Sequence, residues 1–149
     1  MCVMEPFLSC LQKQEELKTL FALSTSTDLT YQKMIELGRR LPPYPEELKQ
    51  EEKIVLGCQS ILYLHSSLHE DVILFLAHSE SLISAGLAYL LLYVYNKEAP
   101  LAVLKCPPRF LDDLGIPNAL SPSRSNGLFA LFLRMKQEAL KYLVYKDNN

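Results

Sequence analysis

The stretch Leu82–Tyr95, "LISAGLAYLLLYVY", carries no charged residue and leaves the chain little choice of environment for it. Its 14 residues fall short of a bilayer span, which needs about 20. The stretch therefore predicts a helix buried in a protein core, around which the remaining segments must pack. Ser79 or Ser81 offers a capping oxygen at its start, and it ends near Asn96. A chain of 149 residues can enclose such a helix as one domain, residues 1–149, without covalent staples.

The segments before that helix divide into two types. Residues 6–23 predict an amphipathic helix. Phe7, Leu11, Leu17, Leu20 and Phe21 fall on one stripe, and Pro6 suits the first turn. "STSTD" ends it, and Thr27 or Asp28 can cap a second helix running to Leu37, with Gly38 at its C-terminal position. "LPPYPEELKQEE" (41–52) reads as a stiff connector, because Pro42, Pro43 and Pro45 lack the amide donors a helix needs, with one helical turn after Pro45. Three β-prone runs follow, at 53–56, 61–65 and 72–77, with "HSSLHED" as the turn between the last two. Beyond the core helix, Pro100 can open a short helix. "CPPRF" restarts the chain, and Gly115 and Pro117 break it again. Residues 120–143 form a last helix with Leu128, Leu131, Phe132, Met135 and Leu140 inward. The tail "KDNN" should fray. Helices, then strands, then helices predict an α+β fold: a small three-stranded antiparallel sheet covered by helices on one face.

Charge and cysteine usage exclude several classes. Net charge is −2, with no lysine or arginine block of the kind that grips nucleic acid. Cys2, Cys10, Cys58 and Cys106 are widely spaced with no C-x-x-C pair, which argues against a structural zinc site or a disulfide framework. Residues 1–11 carry Glu5 where a signal peptide would carry basic residues, so free thiols in a reducing cytoplasm are expected.

Cys58 stands apart from the other three. It lies in "VLGCQS", at the junction of the first two predicted strands, behind Gly57 and ahead of Gln59. Gly57 permits unusual backbone angles and the close approach of another molecule, so the loop can swing and present its thiol. The alternative for any isolated cysteine is a small buried hydrophobe, the reading that suits Cys2, Cys10 and Cys106. A cysteine hydrolase would need a histidine base, and nothing in the sequence places His65, His69 or His78 beside Cys58. If the last two strands form a hairpin, His65 and His78 can approach each other across it. In "PSRSNGL" (122–128), Ser121 or Ser123 caps the last helix, but Arg124 in its first turn is unusual, because helix N-termini favour anions. Two roles for Arg124 stay open: an ion pair to the acidic connector Glu46–Glu52, or a place near Cys58.

Two signatures together, "MIELGRRLPPYPEELKQEEKIVLGCQS" (34–60) and "LSPSRSNGL" (120–128), resemble the SufE-type sulfur acceptors, with "SESLISAGLAYLLLYVYNKEAP" (79–100) matching that family's helix after the sheet. The resemblance covers roughly residues 28–140 and leaves 1–24 as an N-terminal helical extension. It implies a fold similar to that of iron–sulfur scaffold proteins (SufE/IscU-like), with a three-stranded sheet. It also implies that Cys58 accepts sulfur as a persulfide from a pyridoxal-phosphate cysteine desulfurase, stimulates that enzyme, and passes the sulfur to an iron–sulfur assembly scaffold. By position, Gly57 and Gln59 shape the loop, and Arg124 supports it or contacts the desulfurase. In the family the loop acts as a latch, resting its thiol against an apolar pocket until a partner docks. Thiol exchange of this kind needs no metal and no bound cofactor of the carrier's own, and makes it an accessory protein rather than an enzyme. The resemblance leaves a homodimer open. Leu56 stands where many relatives have proline, a change expected to loosen the loop, and Tyr63 where many have tryptophan; residues 1–24 are longer than the family's usual start, which is expected to alter docking. Two other classes of function compete: an iron–sulfur scaffold, which would want several thiolate ligands, and a non-covalent activator of the desulfurase, which would not need Cys58.

Overall fold

The computed structural model describes residues 7–147, with side chains described through Tyr145. Its centre is the helix expected at Leu82–Tyr95, numbered α3 below, whose buried residues include Ile83, Gly86, Leu87, Leu90, Leu91, Val94 and Tyr95. Ser81 caps it, accepting a hydrogen bond from the Ser84 amide at 3.3 Å. Ahead of it come α1 (Leu8–Leu20), α2 (Thr27–Gly38), two 3₁₀ turns (Glu46–Leu48 and Glu51–Lys53), and strands β1 (Leu62–His69) and β2 (Val72–Ser79). After it come α4 (Pro100–Lys105), α5 (Arg109–Asp113), α6 (Ile116–Ala119) and the long α7 (Pro122–Asp147). No helix among the described residues is long and apolar enough to cross a membrane. Met1–Pro6, including Cys2 and the expected Pro6 turn, and Asn148 and Asn149 of the tail lie outside the described residues.

Among the described residues the expected three-stranded sheet has two strands. β1 and β2 pair antiparallel from Leu62↔Ser79 to His69↔Val72, and the first predicted strand survives only as a bridge between Ile54 and Tyr63. The connector stays in 3₁₀ turns up to Lys53, so too little extended backbone remains before Gly57 to form a ladder. The predicted "HSSLHED" turn is also shorter than expected. Strand pairing continues to His69, and the reversal takes only Glu70 and Asp71, with Glu70 in the left-handed region (φ 56°). Polar Ser66 can stay in the strand because its hydroxyl is paired with Glu138 and Tyr142 of α7. The register sets His65 against Leu76 and His78 against Tyr63, so the two histidines are diagonal neighbours on one face rather than directly opposed.

Helices pack on one face of the hairpin, where Leu62, Leu64, Ile73, Phe75 and Ala77 are buried. The free edge of β2 is covered by Asn96–Glu98: Asn96 pairs its side-chain amide with the Phe75 backbone, and Ile73 bridges Glu98. Gly38 ends α2 as expected, but the following residue is not left-handed (Arg39 φ −69°), so glycine is not needed there as a cap. It is needed for packing, since a Cβ at Gly38 would lie 2.6 Å from the Gly86 nitrogen of α3. The inward stripe of α1 also differs. Cys10, Gln14, Leu17 and Phe21 are buried, while Leu20 is exposed. On α7 the buried positions are Leu128, Leu131, Met135 and Ala139. Leu140 faces solvent, because a helix turning 100° per residue carries it past the core.

Candidate functional site

The Cys58 loop is closed at its base and loosely held at its tip. The Val55 amide donates to the Leu62 carbonyl at 2.8 Å, and Ile54 bridges Tyr63. Between these ends the chain makes a tight turn through Gly57, whose φ of 95° is one that L-residues rarely adopt. Gly57 also sits close to α7, where a Cβ on it would come 3.2 Å from the Ala130 methyl. The apolar residues flanking the tip, Leu56 and Ile61, are 83% and 60% exposed.

Cys58 is half-buried, and its thiol points to the Gly127 carbonyl of α7, 3.6 Å away. Gly127 lies against the sulfur, and a Cβ there would sit in ordinary contact with Sγ at 3.6 Å. The thiol opens on a cavity of about 100 Å³. Leu62, Leu87, Leu128 and Leu131 are the apolar part of its lining. Ser60, Ser81, Ser84, Ser123 and Arg124 are among the polar part. The resemblance implied an apolar pocket, and the lining is mixed. α3 and α7 both begin at this cavity, with Ser81 and Ser121 each taking an amide hydrogen bond in the first turn. Burial pushes the Cys58 thiol above its ordinary pKa.

The other expected residues fall at or near this cavity. Gln59 lines it and Gly57 sets the loop's turn. Arg124 lines its mouth, exposed, with its guanidinium 5.9 Å above the ring of Tyr31. Tyr31 is itself fixed by donating to the Ala119 carbonyl at 2.7 Å. Of the two roles left open for Arg124, the ion pair with Glu46–Glu52 is not made among the described residues. That tie belongs to Arg134, further along α7, which donates to the backbone carbonyls of Glu52 and Ile54. Sequence reasoning missed both Tyr31 and Arg134. The only signal for Arg134 was Glu138 four residues on, the spacing of a helical ion pair, which forms at 3.1 Å.

Among the described residues, the other thiols and the histidines lie outside the lining of this cavity. Cys10 and Cys106 are buried and share the Gln14 side-chain amide, at 3.8 and 3.6 Å. Burial, first, and the neighbouring Cys106 push the Cys10 thiol far up, which leaves it inert. His78 pairs with Glu80 at 3.0 Å. The Nδ1 of His65 is buried without a hydrogen-bond partner. Among the described residues no three His, Cys, Asp or Glu side chains come together as a metal site.

Comparison with known proteins gives this geometry a context. A family model described as "SufE: Fe-S metabolism associated domain" matches residues 15–139. The chain is 38% identical over 119 residues to a protein of Escherichia coli (strain K12) named "Sulfur acceptor protein CsdE", covering 78% of this chain and 81% of that one. It is 31% identical over 122 residues to "Cysteine desulfuration protein SufE" of Plasmodium falciparum, covering 78% of this chain and 49% of the relative, so it spans about half of that longer protein. The solution structure of a hypothetical protein from Thermus thermophilus superposes with a TM-score of 0.73 at 28% identity, over 89% of this chain and 96% of that one.

Proposed function

The chain belongs to the SufE family, associated with iron–sulfur metabolism, and from that premise we propose that it takes sulfur from a cysteine desulfurase onto Cys58. One observation carries the reading: the Cys58 thiol sits at the tip of a loop tied at its base by the Val55–Leu62 hydrogen bond, against a small cavity. The desulfurase presents a persulfide on its own cysteine. The Cys58 thiolate attacks the outer sulfur, and a new sulfur–sulfur bond forms on Cys58. The old bond breaks, and the enzyme's cysteine leaves with the electron pair as a thiolate. The outer sulfur keeps its proton or loses it to solvent, so the products are Cys58 persulfide and a regenerated enzyme thiolate. A later thiolate, on an iron–sulfur assembly scaffold, takes the sulfur by the same exchange.

At rest, burial disfavours the thiolate, so attack requires the loop to turn its tip outward. The weak thiol–carbonyl contact at Gly127 permits this, and exposed Leu56 and Ile61 offer a docking partner apolar surface on either side of the sulfur. After transfer the loop returns, and the outer sulfur occupies the cavity. A persulfide is a stronger acid than a thiol, so the anion benefits from Arg124, the serine hydroxyls and the two helix ends. Closure shields it from oxidants that would carry it up the oxidation ladder. The free thiols Cys10, Cys58 and Cys106 suit a reducing cytoplasm.

The test compares stimulation of a cysteine desulfurase by wild type and Cys58→Ser at equal concentration. Loss of stimulation in the variant, with its competitive binding to the enzyme retained, supports the covalent acceptor. Full stimulation by Cys58→Ser replaces it with a non-covalent activator.

A further inference from the structure

We infer that Arg134 is a positioning residue for the acceptor loop, holding the base still while the tip moves. The inference rests on the sulfur-acceptor reading of Cys58 only for the consequence in catalysis, not for the anchoring itself. Arg134 projects from α7 and spends its guanidinium on three acceptors. Nε donates to Glu138 Oε1 at 3.1 Å, Nη1 to the Ile54 carbonyl at 3.1 Å, and Nη2 to the Glu52 carbonyl. The two carbonyls lie in and just after the 3₁₀ turn Glu51–Lys53, where a helical turn leaves acceptors unpaired. The planar fork of arginine can meet both at once, which a lysine ammonium on its single stem cannot reproduce.

The orientation of the fork is itself fixed. Glu138 also accepts from Ser66 at 3.1 Å and pairs with Lys141 at 3.4 Å, and Ser66 contacts the Tyr142 hydroxyl at 3.0 Å. Strand β1, α7 and the loop's entry are therefore joined through one carboxylate and one guanidinium. The same helix supplies Gly127, Leu128 and Leu131 to the cavity wall. Arg134 thus references the loop's base to the element that receives the thiol, and residues 56–61 are left to do the moving. Those six are held by few contacts: the turn at Leu56–Gly57, the Cys58 thiol on the Gly127 carbonyl and the Ser79 hydroxyl on the Ile61 carbonyl.

The test uses the full chain with Arg134→Met, which keeps the apolar stem, and Arg134→Lys, which keeps the charge. Alkylation of the isolated protein by iodoacetamide, followed on the Cys58 peptide by mass spectrometry, reads loop anchoring without any desulfurase. Loss of two charge-assisted bonds should raise that rate about fivefold or more in Arg134→Met, with partial rescue in Arg134→Lys. In sulfur transfer from a desulfurase, the maximal rate should fall while half-saturation by the acceptor changes less, because the docking surface is intact and the thiol is misaligned. An unchanged alkylation rate in a folded Arg134→Met, or in Arg134→Lys if the first does not fold, overturns the inference. Absence of transfer from the wild type, with the alkylation effect present, overturns the acceptor reading and leaves the anchoring intact.

Discussion

Replacing Gly57 by alanine separates a hinged loop from a rigid one. Two costs can be worked from the structure. The φ of 95° is a conformation an L-residue adopts at a cost of about 1–2 kcal/mol. The new methyl also meets Ala130 Cβ at 3.2 Å, closer than ordinary contact, so one side must give. If the loop were rigid, the whole strain would be taken from global stability, lowering Tm by about 2–8 °C for a domain of this size. The contacts predict otherwise. The Cys58 contact with Gly127 and the Ser79 hydroxyl on the Ile61 carbonyl, at 2.9 Å, are too few to resist such strain. The tip should leave its resting pose, and the strain should appear as opening. At a factor of ten per 1.4 kcal/mol, that is roughly 5–30-fold faster alkylation of Cys58. The assay pairs iodoacetamide kinetics on the Cys58 peptide with a urea or thermal melt. A lowered Tm with unchanged alkylation would refute the reasoning, because it would show a loop that strains without opening.

Two further outcomes bear on the scaffold behind the site. Gly86→Ala would put a methyl 2.4 Å from the Met34 carbonyl and force α2 from α3. The overpacking should exceed the gain in helix propensity, for a net loss of about 2 kcal/mol or more in urea unfolding. Burial works to raise the Glu138 carboxyl, but Arg134, Lys141 and Ser66 outweigh it and hold the folded pKa below the ordinary carboxylate value. Its contribution is therefore complete above the unfolded pKa and is lost as pH falls through the folded one. The stability gap between wild type and Glu138→Gln should accordingly narrow on acidification and stay constant near neutrality.

Much of this was readable in the residues, for reasons that differ by element. The α3 segment was legible because a 14-residue uncharged run has one stable environment in a soluble fold. The Cys58 turn was legible because glycine beside cysteine between apolar runs marks a bend, and the positive φ of Gly57 is that bend. The third strand misled because β-propensity at 53–56 competes with the connector, whose 3₁₀ turns extend to Lys53. Ser66 and Ser67 looked like turn residues because the partners of Ser66, Glu138 and Tyr142, lie more than seventy positions away and no local pattern announces them. Gly38 was placed correctly for a different reason: the close approach of Gly86 lies in tertiary structure, where a single sequence is silent. Arg134 was hidden for the same cause, since two of its three acceptors are backbone carbonyls, which carry no side-chain signature.

The central claim is that the transferred sulfur resides on Cys58, and the mass of the Cys58 peptide tests it most directly. The protein is incubated with a cysteine desulfurase and cysteine, trapped with iodoacetamide and digested without reductant. The account predicts that the Cys58 peptide gains the mass of one sulfur, removable by a thiol reductant, while the Cys10 and Cys106 peptides gain none. Sulfur found on another cysteine, or equal labelling of a Cys58→Ser variant, would contradict it.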